Sequence, residues 1–269
     1  GLGLPHGQPK CQPGSAALTT FRDIAPRLLP DLLSGFALLT RLPVPGHAPS
    51  GAGSAWAWPL VGAVLGAIGA AAAGVALWLG LTPGVVAVLV LALAAMLTGG
   101  LHEDGLSDTA DGLFGGWTLV RRLEIMKDSR VGSYGVLALV LLTLARWSAL
   151  ATLLSAGQVW MLIAVGAVSR APMAVIMATL PNARGDGLSH ATGRPSLPVA
   201  LAGAALAVAI AFVVAGWSAL PMLGLVALAT ALLARSAQAR IGGQTGDILG
   251  AAQQLAEAAA LAVLAARAG

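Results

Sequence analysis

Long apolar runs separated by short polar segments make up most of the chain. A transmembrane helix needs about 20 predominantly apolar residues, and candidate spans fall at residues 56–80, 83–101, 135–154, 158–180, 198–219, 220–234 and 251–266. The sixth run is short and the seventh contains Glu257, so the pattern predicts about six or seven crossings. The roughly ten-residue alternating segments of a membrane β-barrel are absent from the sequence. We therefore expect an all-α fold, a polytopic helical bundle in a membrane.

The chain before the first span divides into two parts. Residues 1–27 are rich in Gly, Pro, Gln and Ser and contain no apolar core, which predicts a disordered extension rather than a signal peptide. From Leu28 to Thr40 the sequence is apolar but short, which is typical of an interfacial or re-entrant helix rather than a crossing. Pro43 and Pro45 end this helix because proline cannot continue one.

Composition supports the membrane assignment. The chain is 57% hydrophobic and 10% charged, whereas soluble domains have roughly 25% charged residues. Its 35 glycines indicate helices that approach one another closely. The net charge of +4 comes from Lys and Arg concentrated between apolar runs, which indicates membrane topology rather than nucleic-acid binding. By the positive-inside rule, these charged connections lie on the cytoplasmic side and the tight uncharged turns lie outside.

One stretch, Gly99 to Gly112, holds four carboxylates in a chain that is otherwise poor in charge. On a helix, at about 100° per residue, Asp104, Asp108 and Asp111 share one face. Like charges at this spacing repel one another. Mg²⁺ neutralises such a row well because it binds carboxylate oxygens and bridges them to phosphate. The stretch therefore predicts a metal site; the alternative is a solvated acidic cap on a helix.

The segment from Arg121 to Arg130 mixes basic and acidic side chains. On its own, this pattern is equally typical of a surface helix with ion pairs three or four residues apart. Beside a metal site, however, Lys127, Ser129 and Arg130 are candidates for binding phosphate.

Two further features place polar groups near or within the spans. The glycine-rich turn from Gly242 to Asp247 precedes the last helix, so Asp247 is a candidate N-cap and equally a candidate ligand. Arg146 and Arg170 lie inside predicted spans, where a charge costs at least ~2.5–3.5 kcal/mol. We expect them to face a polar cavity or a partner such as Asp111 or a substrate pyrophosphate. The alternative is a side chain that reaches the membrane surface from a displaced span boundary.

Five motifs occur in one order along most of the chain. They are Thr40 to Pro45, Gly99 to Gly112, Arg122 to Gly132, Ala167 to Arg170, and Gly242 to Asp247. Together they resemble the cobalamin synthase (adenosylcobinamide-GDP ribazoletransferase) family, over about residues 31 to 266. The resemblance implies a membrane enzyme that completes the nucleotide loop of vitamin B12.

The resemblance also implies a Mg²⁺-dependent transfer. A hydroxyl of α-ribazole, or of its 5′-phosphate, attacks the cobinamide-bearing phosphorus of adenosylcobinamide-GDP, and GMP leaves. Matching motif positions assign Mg²⁺ to Asp104, Asp108 and Asp111, and acceptance of the hydroxyl proton to one of these or to Asp247. The same matching assigns phosphate or guanylate binding to Arg41, Lys127, Arg130 and Arg170. Ser129 and Gln244, which lie in the same motifs, are further candidates for substrate binding.

From this family we expect residues 28–269 to form one membrane-embedded catalytic domain. It would lie in the cytoplasmic (inner) membrane with its active site facing the cytoplasm. The expected partners are the two small-molecule substrates and the lipid bilayer, without nucleic acid. Homo-oligomerisation and contact with other late cobalamin-pathway enzymes stay open.

Two other functions fit parts of the sequence. Intramembrane Arg146, Arg170 and Glu257 also suit a transporter, which predicts acids near the bilayer midplane and an internal repeat. A Mg²⁺-dependent phosphotransferase acting on a nucleotide-activated lipid alcohol would share the Asp-rich chemistry but needs a lateral opening to lipid. The acids instead cluster beside one span end and no repeat is evident, which favours the ribazoletransferase.

Overall fold

The computed structural model describes residues 27–268, and this part of the chain is almost entirely helical. Its α-helices are α1 (Leu28–Leu39), α2 (Trp58–Trp78), α3 (Pro83–Thr98), α4 (Leu101–Gly115), α5 (Leu119–Ile125), α6 (Ser133–Ser155), α7 (Met161–Thr179), α8 (Gly187–Thr192), α9 (Leu197–Ala215), α10 (Ala219–Ile241) and α11 (Gly246–Ala268). Short 3-10 helices occupy Gly51–Ala57 and Gly216–Ser218. The all-α prediction is confirmed. Of the disordered extension predicted at residues 1–27, residues 1–26 lie outside the described residues.

Between residues 27 and 268, five helical stretches are long and apolar enough to cross a membrane. They are Gly51–Trp78, Ser133–Ser155, Met161–Thr179, Leu197–Ile241 and Gly246–Ala268. A sixth results if α3 and α4 are taken together, although the two helices are bent by 90° relative to each other. The prediction of a polytopic helical membrane protein is therefore confirmed.

The longest stretch, Leu197–Ile241, is a hairpin formed by α9 and α10. As one straight helix its 45 residues would measure about 68 Å, more than twice the thickness of the hydrocarbon core. Gly216, with φ of +55°, breaks the helix between the two arms. The chain before α9 and the turn after α10 are joined, because Gln244 N–H donates to Pro181 O at 2.8 Å. The hairpin therefore starts and ends on the same side of the bundle, as the two spans predicted in this region require.

The short N-terminal helix is also present. Helix α1 ends at Leu39, before the two prolines that were expected to stop it. Asp31 on this helix accepts a hydrogen bond from Trp56 Nε1 at 2.8 Å. This bond fixes α1 to the 3-10 helix that precedes α2.

A sharp bend separates the apolar helix α3 from the acidic helix α4. Gly99 and Gly100 have φ of +67° and +70°, a left-handed conformation that favours glycine. A Cβ on Gly99 would also collide with the Arg41 side chain. Helix α3 therefore ends at Thr98, and all four acids of the stretch lie on a separate helix.

Helices α7 and α11 form the centre of the bundle, whereas α6 and the α9–α10 hairpin leave most of their apolar surface exposed. Helix α2 packs against α7 at Gly62 and Gly166. A Cβ on either glycine would overlap the carbonyl oxygen of the other. Small residues at a crossing allow such close approach of two membrane helices.

Exchanging Gly62 for Ala should lower the free energy of unfolding by about 1–3 kcal/mol, because the added methyl group overlaps the Gly166 carbonyl. Gly74→Ala, on the same helix, places its methyl group in open space and should leave stability unchanged or raise it. Thermal unfolding of both variants in one detergent measures the difference. Equal stability of the two would contradict the close crossing.

Candidate functional site

Helices α4 and α11 cross at a pair of glycines. A Cβ on Gly105 would come within 2.9 Å of the Asp247 carbonyl oxygen, and one on Gly250 within 3.1 Å of Gly105 Cα. This close contact brings Asp104 beside the first turn of α11. The acidic stretch and the glycine-rich turn therefore meet in space, as their shared side of the membrane led us to expect.

A cavity opens at this crossing, and several distant parts of the chain line it. Its polar rim consists of Asp104, Arg184, Asp186, Ser189 and Asp247. Its inner wall is largely apolar and includes Leu38, Leu39, Trp58, Met173 and Met177. The cavity thus places three carboxylates and a guanidinium beside an apolar wall, which suits a substrate with both charged and apolar parts.

The three aspartates of α4 do not share one environment. Asp104 is exposed at the cavity, and Asp108 is half-buried one turn further along. Asp111 is buried, and its Oδ2 and Oδ1 accept hydrogen bonds from the backbone N–H groups of Gly132, at 2.7 Å, and Gly135, at 2.9 Å. Within residues 27–268, no three His, Cys, Asp or Glu side chains are grouped so that they could hold a metal ion. The predicted three-carboxylate cluster is therefore not formed.

A smaller set of carboxylates still fits Mg²⁺. Asp104 and Asp108 lie on consecutive turns of α4, and Asp104 lines the cavity. In phosphoryl-transfer sites Mg²⁺ usually takes only one or two carboxylates and completes its octahedron with water and substrate phosphate. The rim thus has the hard oxygen donors that this ion prefers.

The interpretation of Asp247 as an N-cap is wrong. Helix α11 starts at Gly246, so the cap position falls to Thr245, whose Oγ1 accepts a hydrogen bond from Ile248 N–H at 3.4 Å. Asp247 instead forms an ion pair with Arg184, and both side chains are mostly buried. Sequence reasoning missed Arg184, because its only signal was a basic residue in a charged connection.

The loop before α8 and the turn before α11 are hydrogen-bonded to each other. In this contact, which we call the clasp (residues 181–189 and 243–245), Ala183 N–H donates to Gln244 O and Ser189 Oγ–H donates to Gln244 Oε1, both at 2.8 Å. Gln244 is buried and does not line the cavity. The Gln244 side chain therefore helps to hold the segment that carries Arg184. This position differs from the substrate contact that was predicted for Gln244.

Lys127 connects the basic segment to the clasp. Its Nζ donates to Asp186 Oδ2 at 2.5 Å, and both side chains are about half exposed. This hydrogen bond lowers the pKa of the Asp186 carboxyl. Lys127 does not line the cavity itself but contacts Asp186, which does, and its role in phosphate binding stays a prediction.

The rest of the basic segment is largely exposed, and its Arg121–Glu124 pair agrees with the alternative of a surface helix with ion pairs. Helix α5 ends at Ile125, so Asp128 does not continue the face on which Arg121 and Glu124 pair at 3.1 Å. Asp128 pairs instead with Arg130 at 2.7 Å, and hydrogen bonds from Arg130 lower the pKa of Asp128 to about 2.

Two other predicted substrate contacts, Ser129 and Arg41, are exposed. Arg41 lies against the bend at Gly99 and therefore near the start of α4. Ser129 lies in the turn that follows α5. Neither lines the cavity.

Arg146 and Arg170 are buried in the bundle and share the carboxylate of Glu257. Arg146 Nη2 lies 2.6 Å from Glu257 Oε1, and Arg170 Nη1 lies 3.6 Å from Glu257 Oε2. Arg146 also lies 3.6 Å from Glu103. The expectation of an acidic partner is correct, but the partner is Glu257 and not Asp111. Arg170 accordingly faces this cluster and does not line the cavity with Asp104 and Asp247.

Comparison with known proteins places the chain in a family. A family model described as cobalamin-5-phosphate synthase matches residues 31–265. The chain belongs to this family. The family resemblance carried by its motifs is thereby confirmed.

Members of the family with the name adenosylcobinamide-GDP ribazoletransferase are similar over nearly their whole length. The protein of Bradyrhizobium diazoefficiens is 44% identical over 245 residues, which cover 89% of this chain and 94% of that protein. The protein of Mesorhizobium japonicum is 42% identical, with 89% and 95% covered. The protein of Brucella ovis is 40% identical, with 87% and 95% covered. No solved structure matches the chain.

Replacing Arg146 by Met should destabilise the protein by about 3–5 kcal/mol, because breaking a buried ion pair leaves an uncompensated charge. Arg235→Met, at an exposed position on α10, is the matched control and should have little effect. Unfolding of both variants in one detergent gives the two stabilities. If Arg146→Met loses no more stability than Arg235→Met, the buried cluster does not contribute to the stability of the protein.

Proposed function

We propose that the chain transfers the adenosylcobinamide phosphate moiety of adenosylcobinamide-GDP to α-ribazole or its 5′-phosphate. GMP is released, and adenosylcobalamin or its 5′-phosphate is formed. The observation that carries this proposal is similarity at 40–44% identity, over almost the full length, to relatives named for that reaction. The cavity supports it, because carboxylates and basic groups meet there as a pyrophosphate reaction needs.

The reaction makes one phosphorus–oxygen bond and breaks another. The acceptor hydroxyl oxygen bonds to the cobinamide-bearing phosphorus, the bridging oxygen leaves with GMP, and the hydroxyl proton passes to a base. Asp104 and Asp247 line the cavity, and we assign acceptance of that proton to one of these carboxylates. Arg184 holds the Asp247 carboxylate and therefore sets where it lies.

Mg²⁺ is the cofactor that we propose for this site. Asp104 and Asp108 would hold it, since one or two carboxylates are the usual number in such sites. When bound, the ion supplies positive charge to the phosphoryl oxygens as charge develops on them. We do not include Asp111 among the ligands, because backbone N–H groups already occupy both of its oxygens.

Basic side chains near the rim would bind the GDP part of the substrate. Lys127 lies against the clasp and faces Asp186, where a diphosphate entering the cavity would meet it. Arg130, Ser129 and Arg41 are exposed, and we keep them as candidates for the outer phosphate or the guanylate. We do not include Arg170 and Gln244 among the substrate-binding residues, because both are buried and contact other side chains.

We further propose that the protein lies in the cytoplasmic membrane with the cavity facing the cytoplasm. The charged connections meet at one end of the bundle, where Asp186 and Arg184 line the cavity and Lys127 pairs with Asp186. Basic connections stay on the cytoplasmic side in multi-pass proteins. A nucleotide-activated substrate would also be available there.

Purified protein in liposomes, supplied with adenosylcobinamide-GDP and α-ribazole, should release GMP and the joined corrinoid in equal amounts only when Mg²⁺ is present. Asp108→Asn should reduce turnover by about 100-fold or more, since it removes a carboxylate charge from the transition-state environment. The control is Glu124→Gln, which removes the charge of an exposed side chain outside the cavity. Absence of turnover in folded wild-type protein would overturn the function, and full activity of Asp108→Asn would overturn the metal assignment.

Lys127→Ala should raise KM for adenosylcobinamide-GDP about tenfold, the usual size for one charge-assisted hydrogen bond. KM for α-ribazole should change little, because the acceptor carries no diphosphate. Arg121→Ala removes a neighbouring exposed charge that pairs with Glu124 and should change neither constant. Equal increases in both KM values would contradict a phosphate contact.

A further inference from the structure

Asp111 is held in a cradle of backbone groups. Both of its carboxylate oxygens accept backbone N–H groups from the start of α6. A Cβ on Gly132 or on Gly135 would overlap the Asp111 carboxylate, so these two positions admit only glycine while Asp111 keeps its place. The cradle therefore consists of two glycines, three residues apart, whose backbones enclose the Asp111 carboxylate on α4.

The cradle is a poor environment for a cation. Each N–H group directs its positive end at Asp111, and the N-terminus of α6 adds a partial positive charge of the helix dipole. A carboxylate is stabilised there, whereas a divalent ion on the same oxygens would be repelled by these dipoles. Asp104, seven residues earlier, is exposed at the cavity and has no such partners among the described contacts.

The glycines of the cradle directly follow the basic segment. Gly132 lies two residues after Arg130 and five after Lys127, which reaches the clasp at Asp186. At its other end, the segment packs on α4, where a Cβ on Gly112 would overlap the Met126 side chain. The segment is thus attached to α4 on both sides of Lys127.

We propose that Asp111 is a positioning residue, which fixes residues 127–132 over the cavity so that Lys127 meets the GDP part of the substrate. It acts on substrate through this segment and not by holding Mg²⁺. The inference rests on the proposed function, because it takes Lys127 as the contact for the substrate diphosphate.

Two variants disturb the cradle from opposite sides. Asp111→Asn keeps the size of the side chain but leaves a single acceptor oxygen, so one of the two N–H groups loses its partner. Gly135→Ala keeps the carboxylate and displaces it by a methyl group. Gly115→Ala is the control on α4, since its Cβ would make only ordinary contacts, the nearest at 3.8 Å.

Three measurements on the full-length protein in detergent test the proposal. They are KM for each substrate, the dissociation constant of Mn²⁺ without substrate by electron paramagnetic resonance, and amide hydrogen exchange over residues 126–135. Asp111→Asn and Gly135→Ala should each raise KM for adenosylcobinamide-GDP about tenfold and speed exchange in that segment. KM for α-ribazole and Mn²⁺ affinity should stay within about twofold of wild type.

A tenfold loss of Mn²⁺ affinity in Asp111→Asn, with unchanged exchange, would make Asp111 a metal ligand and overturn the proposal. So would a Gly135→Ala variant that behaves like Gly115→Ala. If the two variants only lower the midpoint of unfolding and change KM for both substrates equally, Asp111 has a structural role alone and the proposal is wrong. The exchange and Mn²⁺ results do not depend on turnover, so failure of the proposed reaction would be recognised separately.

Discussion

The carboxylate of Glu257 is shared by two arginines inside an apolar bundle, and the arrangement of the central helices depends on it. Charges in such surroundings must neutralise one another, because each alone is costly. Arg146 on α6 and Arg170 on α7 therefore both turn toward α11. Glu103 on α4 joins the same cluster through Arg146 and through Gln254, whose Nε2 donates to it at 2.9 Å.

This cluster sets the position of the first turn of α4, which carries Asp104. With Glu103 attached to α11 and Gly105 pressed against Gly250, the rotation of α4 about its axis is determined. Asp104 then faces the cavity, and Asp111, two turns further along, faces the start of α6. One row of acids on one helix therefore serves two environments, because the helix passes different neighbours along its length.

Much of the fold could be predicted from the sequence, because helices in a bilayer need long apolar runs and because proline and glycine mark their ends. The bend at Gly99 and Gly100 was not predicted, since a span was expected to continue to residue 101. The convergence of the charged connections was also predictable, because charge asymmetry determines the side of the membrane.

The partners of individual side chains could not be predicted in the same way. Hydropathy says nothing about how a helix is rotated, so Arg170 was expected near Asp111 and not near Glu257. Helical periodicity placed Asp111 with Asp104 and Asp108, but the two glycines that hold it lie more than twenty residues later. Arg184 carries no local motif, and its pairing with Asp247 exists only once the clasp has formed.

The clasp has a further consequence for the α9–α10 hairpin. Its hydrogen bonds join residues on either side of the hairpin, so they close a long loop whose closing entropy grows only slowly with length. Helix packing holds these partners near each other, so each bond forms at a high effective concentration. Local opening at α8 therefore leaves the two arms in place, and the loop recloses as an intramolecular event.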